Sequence, residues 1–115
     1  MLKSNTFNSY TQPTKAHGGK GLINFARIFS KNDLHGKWHF VDFAIIPTGA
    51  SIGLHKHEEG EEMYYIMAGQ GTMSINDETF IVRRGDVIVT RLGETHGLAN
   101  DGTEDMSLFV VEIEA

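Results

Sequence analysis

The stretch "HKHEEGEEMYYIMAGQG", residues 55–71, decides the fold and raises the question of function. It begins with two histidines one residue apart and continues through a group of carboxylates. It ends as an aromatic and apolar run that stops at a glycine. The stretch is either a solvated acidic loop that contains histidine or half of a metal site. The choice depends on the preceding chain and on a third histidine elsewhere.

The spacing of the histidines favours a metal site. His55 and His57 lie two residues apart, and such residues point to the same face of a strand. Beyond the break at Gly60, a turn would bring the carboxylate of Glu62 towards the same point. His96 follows another strand and another glycine turn, and it supplies a third imidazole. Three histidines and one carboxylate suit a borderline divalent ion such as Mn, Fe, Co, Ni, Cu or Zn.

The rest of the chain is a series of short strands separated by turn residues. The segments "LINFARIF", "WHFVDFAII", "EMYYIMA", "GTMSI", "TFIVRR", "DVIVT" and "MSLFVVEI" are rich in the aromatic and β-branched residues that strands favour. Short strands at regular intervals predict an all-β sandwich or barrel. The length of 115 residues fits one domain, which we place at residues 20–115.

Residues 1–19 are polar and are predicted to form an N-terminal arm that is partly flexible and has little core of its own. The segment "HGGKG", residues 17–21, is rich in glycine but lacks the spacing of a phosphate loop. It is either a flexible connector or a mobile flap that brings His17 or Lys20 towards a pocket.

Composition restricts the classes of function. The chain contains no cysteine, which excludes thiolate metal sites and leaves nitrogen and oxygen as the available ligands. The net charge of −5 argues against a nucleic-acid partner, because phosphate binding needs a basic patch. The apolar runs are too short to span a bilayer, and the first residues lack the apolar core of a secretory signal. We therefore expect a cytoplasmic protein that has no membrane partner.

Two stretches resemble the two halves of the cupin signature. The first half matches at Gly49, at the three ligands within residues 55–62, and at Gly69. The second half matches at Gly85, Gly93, His96 and Asn100, and the one departure is Arg91, which stands where the family has proline. The resemblance implies a small antiparallel jelly-roll (cupin) β-barrel with one divalent metal ion inside, held by His55, His57, Glu62 and His96.

Strand alternation extends the predicted pocket beyond these ligands. If Glu62 points inward, Tyr64 and Ile66 should do so as well. The same argument, applied from His96 and from His55, adds Leu98 and Ser51. Tyr64 is a catalytic candidate, since its hydroxyl group would lie near a metal-bound substrate, and the alternative is a packing role.

Alternation in "WHFVDFAII" predicts that His39 and Phe43 face the pocket. His39 is then a second catalytic candidate, or else a strand-end residue in water. Arg27 shares a face with Ile23 and could grip a substrate carboxylate or form a surface salt bridge. Several strands have apolar residues on both faces, which predicts a homodimer that covers the outer face.

Three classes of function fit these features. The resemblance implies a metal-dependent enzyme that acts on a small polar molecule, as a dioxygenase, decarboxylase, isomerase or sugar-acid lyase. The second class is a non-catalytic module that binds a small molecule or a metal, and the third is a structural or storage barrel. An intact set of four ligands argues against the third class.

Overall fold

The computed structural model describes residues 1–115 as ten β-strands and one short 3-10 helix. The helix covers Thr6–Asn8. The strands in chain order are β1 (Gln12–Thr14), β2 (Ile23–Ser30), β3 (Trp38–Ile46), β4 (Ser51–Lys56), β5 (Gly60–Ala68), β6 (Gln70–Ile75), β7 (Glu78–Arg83), β8 (Val87–Thr90), β9 (Thr95–Ala99) and β10 (Met106–Glu114).

The strands form two antiparallel sheets. One sheet has six strands in the order β1-β2-β3-β10-β5-β8, and the other has four in the order β4-β9-β6-β7. A continuous apolar core includes residues from both sheets, among them Ile46, Ile66, Met73, Leu98 and Leu108, each at most 2% exposed. The all-β class and the antiparallel jelly-roll barrel predicted from the sequence are confirmed.

Strand β3 presents the opposite face to the one predicted. Its inner face carries Phe40, Asp42, Ala44 and Ile46, which contact the core or line the cavity between the sheets. Phe43 is buried on the outer side, where its register partner on β10 is Phe109. The prediction failed because β3 is apolar on both faces, so the period of two residues did not say which face points inward.

A β-bulge in β4 changes the face of the residues that precede the histidines. Ile52 is paired with Leu98 and His55 with His96, so β4 has one residue more than its partner between these pairs. The extra residue lets Ile52 and His55 face inward together, which simple alternation forbids. Ser51 consequently points away from the cavity, and its side-chain oxygen accepts a hydrogen bond from the Lys20 amide at 2.8 Å.

The predicted N-terminal arm is in part a component of the barrel. Residues 12–14 pair with residues 23–25 and make β1 the edge of the six-stranded sheet. Residues 16–20 then run along the edge strand of the other sheet, where the Gly53 amide donates to the Ala16 carbonyl and the Ser51 amide donates to the Lys20 carbonyl. We refer to residues 16–20 as the strap.

Candidate metal centre

Four side chains from three strands and the turn after β4 meet at one point between the sheets. The Nε2 atoms of His57 and His96 are 2.7 Å apart, and those of His96 and His55 are 3.2 Å apart. The Oε1 atom of Glu62 is 3.3 Å from His57 Nε2 and 3.2 Å from His96 Nε2. One ligand atom from each of the four side chains lies within 4.8 Å of the others, a group that could hold a metal ion.

The second ring nitrogen of each histidine has its own partner. His55 Nδ1 is 2.8 Å from the Gly53 carbonyl oxygen, and His96 Nδ1 is 2.7 Å from the Thr90 hydroxyl. His57 Nδ1 is 3.3 Å from Oε1 of Glu112. The Gly53 carbonyl and the Glu112 carboxylate can only accept, so they place a ring proton on Nδ1 of His55 and His57, and the Thr90 hydroxyl can accept one from His96. With the proton on Nδ1, the lone pair of each Nε2 atom is aimed at the shared point, as histidine ligands of metals require.

Burial and a hydrogen bond to Glu112 together set the protonation of the cluster. Desolvation lowers the pKa of His96 to about 3 and that of His55 to about 4, so both rings are neutral at pH 7. Desolvation also raises the pKa of Glu62 to about 7. The pKa of His57 is raised, mainly because its ring donates to the carboxylate of Glu112.

The donors fit a divalent transition metal. Oε1 of Glu62 is buried and has no hydrogen-bond partner, although two ring nitrogens lie within 3.3 Å of it. In a neutral ring whose proton is on Nδ1, the Nε2 atom carries a lone pair and cannot donate to the carboxylate. A cation at the shared point would satisfy all four donors at once, and imidazole with carboxylate is a ligand set for such ions.

The cluster opens into a cavity of about 570 Å³ between the two sheets. Three of the four candidate ligands line it, together with Tyr64 and Glu112. The hydroxyl of Tyr64 is 3.3 Å from Nε2 of His96, and the residue is 3% exposed. A phenol therefore lies directly beside the donors.

Arg27 and His39 both lie near this cavity, in different environments. The Arg27 guanidinium group donates to both carboxylate oxygens of Asp42, at 2.9 and 3.2 Å, and lies 4.5 Å from the centre of the Phe40 ring. His39 is outside the cavity lining, but its Nδ1 is 2.7 Å from Oε2 of Glu112. A bulge in the pairing of β3 with β10 brings His39 to this side of the sheet.

Besides His39, four of the residues predicted for the pocket do not line the cavity. Ile66 and Leu98 point inward as expected but belong to the closed apolar core. Ser51 points elsewhere because of the bulge in β4, and Phe43 does so because β3 presents its other face.

Two residues beside the cluster were not predicted from the sequence, and a third, His17, was named only under the alternative of a mobile flap. Glu112 and Thr90 hold the second nitrogens of two histidines, and His17 stacks on the ring of His55. Glu112 and Thr90 lie at inward positions of "MSLFVVEI" and "DVIVT", so alternation could have suggested them. No pattern in the sequence indicates the pairing of His17 with His55.

Fold and site together define a class: a two-sheet jelly-roll barrel whose cavity contains three histidines and one glutamate able to bind a metal ion. A family model described as "Cupin domain" matches residues 42–112, which contain all four candidate ligands. The chain belongs to the cupin family.

Relatives and solved structures agree with this assignment. The "Oxalate-binding protein" of Thermotoga maritima is 38% identical over 96 residues, which are 84% of this chain and 79% of that protein. A crystal structure from Thermotoga maritima, described as a predicted oxalate decarboxylase, covers 99% of this chain and 100% of its own, with a TM-score of 0.94 and 32% identity. The polyketide cyclase RemF from Streptomyces resistomycificus shares the fold at a TM-score of 0.83 and 19% identity, covering 98% of this chain and 79% of its own. No helix in this structure has the length and apolar character to cross a membrane.

Proposed function

We propose that this cupin binds one divalent transition metal ion, and that the metal centre binds a small chelating carboxylate in the cavity. The observation that carries the proposal is the convergence of three Nε2 atoms, whose rings each have a partner for the Nδ1 proton, and one buried carboxylate oxygen that has no hydrogen-bond partner. When bound, the ion would supply positive charge at the base of the cavity and open positions for oxygen ligands.

The charges around the cavity support an acidic ligand only when a cation is present. Five acidic residues line the cavity or the cluster, against three lysines and arginines: Asp42, Glu58, Glu59, Glu62 and Glu112 against Lys15, Arg27 and Lys56. A divalent ion would offset this excess of negative charge. The name of the Thermotoga maritima relative, an oxalate-binding protein, supports a dicarboxylate small enough to chelate one ion.

The chain's own residues would orient such a ligand. Arg27 is held by Asp42 and by the ring of Phe40, and its half-exposed guanidinium group faces the cavity with donor groups left over. It would contact the end of a ligand that points away from the metal. The hydroxyl of Tyr64 would donate a hydrogen bond to an oxygen atom bound beside His96.

A metal-dependent enzyme is the second candidate function. The observation that favours it is the buried phenol beside the four donors, since a proton donor at that place can serve a reaction at a bound substrate. Decarboxylation, dioxygenation, isomerisation and elimination on a sugar acid can all use such a group. The similar Thermotoga maritima structure, a predicted oxalate decarboxylase, supports the first of these reactions.

A homodimer is part of the proposal. Register partners face the same side of a sheet, so the outer face of the six-stranded sheet is a continuous apolar surface. Trp38, Tyr65, Val87 and Val89 on this face are each at least 40% exposed. A large exposed apolar patch marks an interaction site, and a second copy offers a face of matching character.

The test is metal analysis of protein purified without added metal salts, followed by calorimetry with oxalate and with acetate. We expect about one ion per chain, and oxalate binding that disappears after chelation and in the His96→Ala variant. Acetate is the control for simple attraction of an anion. Protein that binds no metal, or that binds oxalate equally well after chelation, would refute the proposal.

A further inference from the structure

The imidazole of His17 lies flat against the imidazole of His55. The ring centroids are 3.5 Å apart and the planes differ by 10°. His17 comes from the strap, which precedes the matched cupin domain by more than twenty residues. A side chain from outside the matched region therefore covers one face of a candidate metal ligand.

The strap that carries His17 joins the edges of the two sheets. It follows β1, the edge of the six-stranded sheet, and it is hydrogen-bonded to β4, the edge of the four-stranded sheet. The Gly53 amide donates to the Ala16 carbonyl at 3.0 Å, and the Ser51 amide donates to the Lys20 carbonyl at 2.9 Å. The strap thus forms the wall of the barrel next to the metal centre.

Two glycines lock the strap against β4. A Cβ atom on Gly19 would overlap the carbonyl oxygen of Ser51, and one on Gly53 would overlap the carbonyl oxygen of His17. His17 itself has a φ of 50°, in the left-handed region that is costly for a residue with a side chain. Such a conformation persists only where surrounding contacts enforce it. His17 is therefore held in place, in contrast to a residue on a flexible connector or a mobile flap.

The orientation of His17 makes it a poor ligand but an effective support. The lone pairs of an imidazole lie in the plane of its ring. Because the plane of His17 is stacked on that of His55 and nearly parallel to it, the nitrogens of His17 do not point to the place where the Nε2 atoms meet. His17 is also absent from the group of side chains that could share an ion. Two contacts restrain the ring of His55: its Nδ1 atom is hydrogen-bonded to the Gly53 carbonyl, and one of its faces packs against the ring of His17.

We infer that His17 is a positioning residue of the metal centre, which holds the His55 ring so that its Nε2 stays aimed at the ion. This inference rests on the proposed metal binding. Loss of the stack frees His55 to rotate, and loss of a group that orients a metal ligand typically lowers affinity by about 10- to 100-fold. The strap would then belong to the metal site as well as to the barrel wall.

The experiment compares His17→Ala, His17→Phe and the wild-type protein by competition for Mn²⁺ and Zn²⁺ against a chelator. We expect roughly tenfold weaker binding for His17→Ala and a change within about twofold for His17→Phe, since phenylalanine retains a stacking ring without nitrogen. His35→Ala is the matched control, because His35 is exposed and lies in the turn between β2 and β3.

Equal affinity of His17→Ala and the wild type would overturn the inference, and so would a loss in His17→Phe as large as that in His17→Ala. A second measurement needs no metal. The ring protons of His55 in the metal-free protein should shift in NMR spectra when His17 becomes alanine, because the stacked ring shields them. Unchanged His55 resonances would overturn the inference even if metal binds, whereas a wild-type protein that binds no metal would refute the proposed function instead.

Discussion

The pH dependence of metal binding is expected to come mainly from Glu62 and His57. Ligands bind a metal only after losing their protons. In the metal-free protein the pKa of Glu62 is raised to about 7 by burial, and that of His57 is raised by its bond to Glu112. The pKa values of His55 and His96 are lowered to about 4 and about 3. The rings of His55 and His96 therefore stay neutral from about pH 5 to pH 8, and in this range the metal ion displaces no proton from them.

The magnitude follows from these values. With a pKa of about 7, the ionised fraction of Glu62 falls from roughly nine-tenths near pH 8 to roughly one-hundredth near pH 5. Protonation of Glu62 alone therefore lowers the apparent metal affinity by about 90-fold between pH 8 and pH 5. His57 gains its proton at a higher pH than an ordinary imidazole and adds a second loss. Near pH 6 we expect the binding of one ion to release between one and two protons.

Calorimetry in buffers of different ionisation enthalpy counts these protons directly. The Glu62→Gln variant should release about one proton fewer, because an amide carries no titrating proton, while Glu61→Gln should match the wild type. A pH-independent affinity would refute ligation by these groups. Release of three or four protons would refute the expectation that, in the metal-free protein, only Glu62 and His57 carry a proton that the metal ion must displace.

Three further predictions test the site and the assembly. His55→Ala with His57→Ala should abolish stoichiometric metal binding but keep the barrel, since the core is separate, and circular dichroism with metal analysis checks both. Tyr64→Phe should keep the metal and change the free energy of unfolding by about 1 kcal/mol, the worth of one hydrogen bond; if the protein is an enzyme that uses this phenol, the rate should fall about 100-fold. Tyr65→Lys on the outer apolar face should give a monomer mass by light scattering, while Ile81→Lys on the other sheet should keep the wild-type mass; a monomeric wild type would contradict the proposed dimer.

Much of the fold and of the candidate site could be predicted from the sequence, because both are encoded locally. Turn residues at regular spacing indicate the strands, and the ligands lie in two short stretches whose pattern is specific to one family. His55, His57, Glu62 and His96 do converge in the structure. The donors were predictable because they depend on short-range spacing within two strand–turn units.

The faces of strands were harder to predict where both sides are apolar or where the strand is irregular. In β3, Phe43 and Phe40 are equally suited to a core, so composition could not place one of them inside. In β4, the extra residue before His55 turns Ser51 away from the cavity, and Gly53 was the only feature of the sequence that indicated a bulge there. The strap was predicted as part of a polar arm. Its role depends on backbone hydrogen bonds to β4 and on the close approach of the two backbones, and the hydropathy of the sequence does not indicate either.

The order of the strands has a consequence for how the chain acquires its fold. Strand β10 lies between β3 and β5 in the six-stranded sheet, yet it follows the nine other strands in the sequence. Until residues 106–114 have left the ribosome, β1 to β3 cannot join β5 and β8, and Glu112 cannot reach His57. Contacts between residues so far apart in sequence form slowly. The nascent chain must therefore keep its apolar strands from pairing with other chains until residues 106–114 are available.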